Sequence, residues 1–429
     1  MSAATLSSFK NTSTSSPQFS HDESVSTSHL VTAMTFNIGD ADIRADSESD
    51  LTHKYNDNIF IKILQRCFDT SNPLPDILIF GLQEVPDKRL QKIQPEFAAE
   101  LEKLQHQKDE KSVKILAKKY KFITIHEDKP YINLCNFNYK IVTIILVSDR
   151  IHEPKIDKDN IIMYCPGLEK SKLGTKGFTL IKLNYSYYNE PQPSLHIVNL
   201  HAPFKTADKT TKFFNKLFAN FTGMDTNTNN IIIMGDYNSR SLITKNKKYI
   251  KDVDPSICSS LENDKYDEIY CQRKFELESM PAANNRLFGV VPDSMNPEYE
   301  ASNSFKSLRD KLKLKEYKLQ FLPSYKRQTQ KQYAKNTKSK KTLFSMSSNK
   351  SSNTLKKVKA PGQFSLEKGS GREKKYRLPG YADRITVLGK KINLLPENMY
   401  TSIPVIGNDH IPVVATFAIQ YAPPSSTMS

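Results

Sequence analysis

The sequence predicts an α/β fold in which two packed, mixed β-sheets are flanked by helices, on the basis of three observations. Apolar runs of four to eight residues, rich in β-branched side chains, recur along the chain, and each stops at polar residues or at Gly or Pro. Helical patterns fall between some of these runs but not all of them. Because seven or more strands rarely stay in one twisted layer, two sheets are favoured over a single open sheet.

The predicted strands can be taken in chain order. They lie in the stretches "LVTAMTFNIGD", "DILIFGLQE", "YKIVTIILVS", "GFTLIKLNY", "LHIVNLHAP", "NIIIMGD", "RITVL" and "IPVVATFAI". Two helices are predicted because their apolar residues recur with a period of 3.6 and therefore share one face. These residues are Ile59, Ile63, Leu64, Cys67 and Phe68 in "NDNIFIKILQRCFDT", and Phe213, Phe214, Leu217 and Phe218 in "ADKTTKFFNKLFANF".

Composition divides the chain into one large domain, expected over residues 31–420, with a Ser/Thr-rich disordered tail at 1–30 and a short tail at 421–429. The formal net charge is +16, and about 14 of that excess lies between Lys326 and Arg377. Most of that stretch, about 327–372, is expected to be a disordered basic insertion within the domain. Because the charge belongs to one segment, a compact nucleic-acid-binding face is not expected.

The five cysteines form no C-x-x-C pair and no hydrophobic leader opens the chain. We therefore expect a reducing, cytoplasmic setting in which the thiols act as small buried residues. The longest apolar runs are strand-sized, so no transmembrane helix is predicted. The protein is expected to be a monomer.

Polar side chains follow five of the predicted strands. Asn37 ends the first, Gln83 and Glu84 the second, Asn199 and His201 another, and the next leads into "GDYNSR" with Asp236 and Asn238. The last elements carry Asp383 in "YADRITV", and Asp409 and His410 in "GNDHIPV". The carboxyl ends of strands are where α/β proteins usually bind ligands. A polar turn explains any one of these tips, but five tips of acid/base or metal-ligand type favour a shared site.

The chemistry of this set points to a divalent cation and to water as the nucleophile. Oxygen ligands dominate and there is no Cys cluster, which suits Mg²⁺ better than Zn²⁺. The phosphate-binding pattern G-x-x-x-x-G-K-S/T is absent, which disfavours nucleotide-dependent phosphoryl transfer. No G-x-S-x-G occurs, and no Ser or Cys stands at a comparable tip.

In order and spacing, these residues resemble the endonuclease/exonuclease/phosphatase superfamily. More narrowly, "IIMGDYNSR" resembles the F-W-x-G-D-x-N-x-R motif, and "LPGYADRIT" the P-A-W-C-D-R-I-L motif, of inositol polyphosphate 5-phosphatases. The likeness covers roughly residues 32–419, apart from the basic insertion. It implies a four-layer α/β sandwich and Mg²⁺-dependent hydrolysis of the 5-phosphate of phosphoinositides or of soluble inositol phosphates. Phosphatidylinositol 4,5-bisphosphate, the substrate of yeast-type members, is the preferred expectation because Tyr325 and Lys326 match residues placed for a 4-phosphate.

The resemblance also implies a role for each catalytic residue. Glu84 would hold the metal with Asn37 beside it, and Asp409 would lie next to them. Asp236 would orient or deprotonate the attacking water, and Asn238 would hold that water or the phosphate. Phosphoryl oxygens would be hydrogen-bonded by His201 and by His410, whose tautomer and charge Asp383 would fix.

Substrate-binding residues are implied by three further stretches. "FLPSYKR" resembles a family stretch that contacts the neighbouring ring phosphate and nominates Tyr325 and Lys326. "EKKYRLPG" nominates Lys375 and Arg377, and "KLGTKGFTL" nominates Lys176. Clustered cations suit a polyphosphorylated ring because charge-assisted hydrogen bonds hold phosphates best. Arg384 is expected to support the shape of the site, and Arg240 is equally compatible with support and with ligand binding.

The sequence departs from the family where Ile233 replaces a Trp, where Gly380-Tyr381-Ala382 replaces Ala-Trp-Cys, and in the stretch after His201. These departures leave substrate preference open. The basic insertion is by default a solvated charge run; the sharper hypothesis is peripheral attraction to anionic membranes, worth about 1 kcal/mol per well-placed cation. Two other functions stay open: a nuclease or phosphodiesterase of the same superfamily, and a non-catalytic protein that binds membrane or RNA.

Overall fold

The computed structural model describes fifteen stretches and single residues of the chain. They are residues 28–39, 63, 64, 67, 74–106, 120–123, 131–134, 139–166, 176–203, 207–238, 312–316, 324, 382–395, 399–403 and 408–421.

Fifteen strands and two longer helices are found in the described part of the chain. The strands are β1 (Ser28–Asn37), β2 (Ile77–Pro86), β3 (Tyr120–Phe122), β4 (Tyr131–Leu134), β5 (Tyr139–Ser148), β6 (Ile151–Ile156), β7 (Ile162–Tyr164), β8 (Gly177–Tyr187), β9 (Glu190–Pro191), β10 (Ser194–His201), β11 (Asn229–Asp236), β12 (Asp383–Leu388), β13 (Ile392–Leu394), β14 (Tyr400–Ser402) and β15 (Val413–Gln420). The helices are α1 (Asp87–His106) and α2 (Ala207–Ala219), and a short 3₁₀ turn spans Lys158–Asn160.

The strands form two mixed sheets. The first has the order β13-β15-β1-β2-β5-β3, with β14 added to β15 and β4 to β5. The second has the order β12-β11-β10-β8-β6, with β7 and β9 added to β8. The pairs β1–β2 and β10–β11 are parallel, whereas the other pairs are antiparallel.

The layers follow from the alternation of side chains along each strand. In β1, Val31 and Ala33 belong to the core between the two sheets, whereas Met34 and Phe36 belong to a second core on the outer face of the first sheet. Helix α1 covers that outer face, and α2 covers the outer face of the second sheet. The predicted α/β sandwich of two packed sheets flanked by helices is therefore confirmed.

All eight predicted strands are present, and the predicted face of α2 is buried against the second sheet. Of the face predicted around Ile63, the described residues Ile63, Leu64 and Cys67 are helical and buried. Helix α1 was not predicted from the sequence, although Ile93, Phe97 and Leu101 recur four residues apart and are all buried. The short strands were not predicted either, because they have too few residues to show a period.

The predicted segment boundaries are only partly within the described residues. Strand β1 begins at Ser28, inside the segment expected to be a tail, and pairs there with Gln420 of β15. Tyr421 is buried against the inter-sheet core, so the ordered chain extends one residue past the predicted domain end. Residues 1–27, the basic insertion at about 327–372, and residues 422–429 lie outside the described residues.

Cys67 and Cys165, the cysteines among the described residues, are buried thiols, as expected for cysteines used in packing. Within the same part of the chain, neither helix combines the length and apolarity that crossing a bilayer requires.

Gly235, near the end of β11, is expected to be intolerant of a side chain. Its φ is +150°, and a Cβ atom there would lie 2.0 Å from the carbonyl oxygen of Leu200 in β10. Replacing Gly235 with Ala should therefore force the two strands apart and lower the free energy of unfolding by about 2–5 kcal/mol, measured by urea denaturation.

The matched control is Gly223→Ala, because Gly223 has φ +80° but no atom within 4 Å of its would-be Cβ. Gly223→Ala places a side chain at positive φ without a steric clash, so it should lower the free energy of unfolding by about 1 kcal/mol. Equal losses at the two positions would contradict the proposed close approach of β10 and β11.

Candidate active site

The candidate site is formed where four strands of two sheets end at the same side of the sandwich. In the first sheet the parallel strands β1 and β2 end together, with Asn37 opposite Gln83. In the second sheet β10 and β11 end together, with His201 opposite Asp236. Asp383, the first residue of β12, is in turn opposite Asp236. Parallel pairing and register thus place the predicted polar tips at one edge.

Asp236 is the centre of this arrangement. Its Oδ2 accepts a hydrogen bond from Asn37 Nδ2 at 3.0 Å, which joins the two sheets, and lies 3.2 Å from His201 Nε2. Its Oδ1 accepts the backbone N–H of Asn238 at 2.8 Å. The carboxylate is buried, so both oxygens are held in fixed directions.

The ionisation of Asp236 follows from its neighbours. Burial by itself would raise its pKa, but the hydrogen bond and charge of His201, together with the charges of His410 and Lys176, lower the pKa below the ordinary value for Asp. Asp236 is therefore a carboxylate at neutral pH, in the state needed to orient or accept a proton from water.

His410 is held by Asp383 in a buried pair. His410 Nδ1 donates to Asp383 Oδ2 at 2.8 Å, and both side chains are buried. Burial would lower the pKa of His410, but the charge and hydrogen bond of Asp383, with the charges of Asp409 and Asp236, raise it to about 10. The bond at Nδ1 leaves Nε2 as the second donor of an imidazolium.

Three side-chain oxygens surround the space beside Gly39, just past β1. Asn37 Oδ1, Glu84 Oε2 and Asp409 Oδ1 lie 3.2, 3.3 and 3.8 Å from the position that a Cβ atom of Gly39 would occupy. Asn37 Oδ1 is also buried without a hydrogen-bond partner among the described residues. An orphaned amide oxygen beside two carboxylates is the donor set of a hard divalent cation, so the residues present fit Mg²⁺.

The same space is not a cage made of protein alone. No group of three or more His, Cys, Asp or Glu side chains with metal-site geometry occurs in the described residues. Mg²⁺ commonly binds through one or two carboxylates and completes its shell with water and substrate phosphate, so an incomplete protein shell agrees with a catalytic site.

Glu84 faces both this space and the histidine side of the site. Its backbone is in the left-handed region at φ +53°, within an irregularity of the β2–β5 pairing, so the chain is strained where the side chain is presented. Oε1 lies 3.4 Å from His201 Nε2 and 3.7 Å from Lys176 Nζ, and Lys176 Nζ also contacts His201 Nε2. With 29% of its side chain exposed, Glu84 can be reached from solvent.

Two predicted tips support the site from beneath. Gln83 Nε2 donates to Asn199 Oδ1 at 2.7 Å across the two sheets, and Asn199 Nδ2 donates to the carbonyl of Val142 at 2.8 Å. Both side chains are buried and bonded within the core. These hydrogen bonds hold the two sheets, which carry Asp236 and Glu84, at a fixed separation.

Asn238 is also fixed in place. It has φ +49°, and its Nδ2 donates to the carbonyl of Ala202, just past β10. Arg384 is buried and lies 3.6 Å from Glu316, which agrees with the support role predicted for it. Ile233, at the position of a family Trp, packs in the core under α2.

The structure thus brings together nine predicted residues around one site: Asn37, Glu84, Lys176, His201, Asp236, Asn238, Asp383, Asp409 and His410. The predicted substrate-binding residues Tyr325, Lys326, Lys375 and Arg377, and also Arg240, lie outside the described residues.

Three site residues were missed by the sequence analysis. Asn408 is buried, accepts the Asp409 backbone N–H at 2.8 Å and donates to the Asn37 carbonyl at 2.6 Å. Ser324 Oγ accepts the Asp383 backbone N–H, and its carbonyl accepts the Ile411 N–H. Gly39, which has no side chain, leaves open the space that the three oxygens surround. Asn408 and Gly39 adjoin predicted tips, whereas nothing in the sequence around Ser324 indicates its partners.

Comparison with known proteins gives structural likeness only. No protein-family model matches the chain, and no curated protein matches it. Among solved structures, the chain is similar to the inositol polyphosphate 5-phosphatase domain of SPsynaptojanin in complex with inositol (1,4)-bisphosphate and calcium ion. The identity is 15%, the alignment covers 91% of this chain and 84% of that one, and the TM-score is 0.46.

Two other likenesses show how varied the similar structures are. A Cimex nitrophorin in its ferrous NO complex is 13% identical, with 92% of this chain and 99% of that chain covered and a TM-score of 0.44. The D. rerio TDP2 complexed with single-strand DNA product is 11% identical, with coverages of 90% and 98% and a TM-score of 0.37. Scores this low carry no argument about chemistry, which has to come from the side chains of this chain.

Proposed function

We propose that the protein is a Mg²⁺-dependent phosphatase that hydrolyses the 5-phosphate of phosphoinositides, with phosphatidylinositol 4,5-bisphosphate as its preferred substrate. The observation that carries the proposal is the convergence of Asn37, Glu84, Asp236 and the Asp383–His410 pair at one edge of the sandwich. These residues come from distant parts of the chain, and each is of a type that phosphoester hydrolysis uses.

The chemistry can be assigned to this chain's own groups. Glu84, Asn37 and Asp409 would hold the cation, which when bound neutralises charge on the phosphate. Ionised Asp236 orients the attacking water and accepts its proton, while the His410 imidazolium donates to a phosphoryl oxygen.

Such a site needs little covalent chemistry, because phosphoryl transfer depends mainly on in-line positioning and charge neutralisation. Water is favoured as the nucleophile because, in the sequence, no Ser or Cys stands at a strand tip comparable to those that carry His201 and His410.

Specificity for an inositol ring rests on sequence. The stretches "FLPSYKR" and "EKKYRLPG" resemble ring-phosphate contacts of inositol polyphosphate 5-phosphatases and nominate Tyr325, Lys326, Lys375 and Arg377. Ser324, the residue before Tyr325, is bonded to the backbone of Asp383. The basic insertion would draw the enzyme from the cytoplasm to anionic membrane surfaces.

The test is a parallel assay of the purified protein with Mg²⁺ on vesicles containing phosphatidylinositol 4,5-bisphosphate, on vesicles containing phosphatidylinositol 4-phosphate, and on short single-stranded DNA. We expect phosphate release from the first only, and its loss when EDTA removes the cation. DNA cleavage without phosphate release would replace this proposal with a phosphodiesterase. Failure on all three substrates would favour the non-catalytic alternative.

A further inference from the structure

Among the described residues of the site, Lys176 is a lysine that contacts both a proposed ligand of the cation and a catalytic histidine. It immediately precedes β8, and its Nζ lies 3.7 Å from Glu84 Oε1 while contacting His201 Nε2. Lys176 therefore pairs with the carboxylate whose other oxygen, Oε2, faces the space beside Gly39. The ammonium group of Lys176 and the proposed divalent cation would therefore compete for the charge of the same carboxylate.

We propose that Lys176 links cation binding to phosphate binding: without phosphate it pairs with Glu84 and weakens binding of the divalent cation, and an arriving phosphate draws it away and strengthens that binding. This inference rests on the proposed function, because it takes Glu84 as a ligand of the cation.

The physical basis is charge repulsion at short range. An ammonium and a divalent cation on the two oxygens of one carboxylate repel each other, and the surrounding protein screens them less than bulk water would. The side chain of Lys176 is 19% exposed, so its four-carbon stem can swing the charge toward a ligand entering from solvent. A phosphate dianion offers the ammonium a stronger partner than the shared carboxylate.

Linkage makes the coupling reciprocal. If phosphate increases the affinity for the cation by removing Lys176 from Glu84, the cation must increase the affinity for phosphate by the same factor. The site would then bind either component weakly alone and both together more tightly. Direct contact between cation and phosphate would add its own coupling, so the share due to Lys176 has to be measured by removing its charge.

The experiment measures Mg²⁺ binding to the full chain by titration calorimetry, with and without inorganic phosphate. Lys176→Met should lower the Mg²⁺ Kd by at least about fivefold in the absence of phosphate, the lower end of common coupling factors. Phosphate should tighten Mg²⁺ binding less in this variant than in the wild type. Lys176→Arg keeps the charge and should leave the wild-type affinity largely intact.

The matched control is Lys182→Met, within strand β8, which Lys176 immediately precedes. Lys182 Nζ lies 3.8 Å from Asp157 Oδ2, so this variant removes an equal charge from a similar ion pair roughly 20 Å along the strand. Its Mg²⁺ affinity should not change. A fivefold effect at both lysines would show that net charge is responsible and would overturn the role given to Lys176.

Two outcomes separate this inference from the proposed function. If Lys176→Met and the wild type bind Mg²⁺ equally while Glu84→Gln binds poorly, the link through Lys176 is wrong and the cation site stands. If Glu84→Gln binds Mg²⁺ as well as the wild type does, the cation site itself is misassigned, and this inference fails with it.

Discussion

Replacing Asp236 with Asn is expected to lower kcat about 10³-fold, which corresponds to about 4 kcal/mol in the activation free energy. The substitution preserves the shape of the side chain, so the hydrogen bond from the Asn238 backbone can remain. What it removes is the buried negative charge that His201, His410 and Lys176 keep ionised. Without that charge, the attacking water would lose the proton acceptor that the proposed function assigns to it, because Glu84 Oε2 and Asp409 Oδ1 face the space beside Gly39.

The measurement is steady-state hydrolysis of the substrate that the lipid assay identifies, with Mg²⁺ in excess. Asp225→Asn is the matched control, because Asp225 is exposed in the turn that precedes β11, where its carboxylate accepts hydrogen bonds from Asn227 and Thr228. It should leave kcat unchanged. Comparable unfolding midpoints for both variants would show that the fold is intact, and near-normal kcat for Asp236→Asn would mean that another group accepts the proton.

The fold was predictable because its central strands are long and apolar. In β1, β2, β5, β10 and β11, buried apolar residues continue for most of eight to ten residues, and each of these strands except β5 carries predicted polar residues at or near its carboxyl end. The edge strands were not predictable from such runs. In β6, for example, only Ile151 and Ile156 are buried, so neither an apolar run nor a regular alternation marks the strand.

Residue types at strand ends indicated which side chains form the site, but not which of them face Asp236 and which form bonds inside the core. Asn199 and His201 stand two apart on one strand, yet Asn199 bonds inside the sandwich and His201 faces Asp236. Likewise Gln83 bonds beneath the site, whereas the irregular backbone at Glu84 turns the adjacent side chain toward it. Asn199 and His201 share one face of β10 because they are two residues apart, so their position along the strand decides the partner of each. At Glu84 the irregular backbone decides the direction. Both effects depend on strand pairing that the sequence does not state.

The residues that hold the site from behind were the least predictable. Asn408 and Ser324 act through backbone atoms of Asn37, Asp409, Asp383 and Ile411, and such bonds can be made by any small polar side chain in reach. Their roles follow from tertiary contacts alone. The position of Ser324, between the two segments that carry Asp383 and His410, could therefore not be predicted from the sequence.

The second large effect is expected at His410, whose replacement with Ala should lower kcat about 10³-fold by removing a preorganised donor to the phosphoryl oxygen. The buried pair with Asp383 makes this donor cationic, since the pKa of His410 is raised to about 10. A raised pKa means that the charged form persists as pH increases, so activity of the wild type should not fall between pH 6 and 8 through deprotonation of this residue.

Asp383→Asn tests whether His410 must be charged, because the variant keeps His410 in the chain and removes the carboxylate that keeps it protonated. The Asp383 carboxylate is the neighbour that raises the pKa of His410 most, and once it is gone burial lowers that pKa toward or below its ordinary value of 6.5. The activity of the variant should therefore fall as pH rises from 6 to 8, whereas the activity of the wild type should not. At pH 8 the variant should approach the rate of His410→Ala.

The control is His196→Gln, because His196 lies near the opposite end of β10 and contacts Asn229. This variant should keep the pH profile of the wild type. If Asp383→Asn also keeps that profile, His410 acts without its charge, and the imidazolium has no part in stabilising the phosphoryl group.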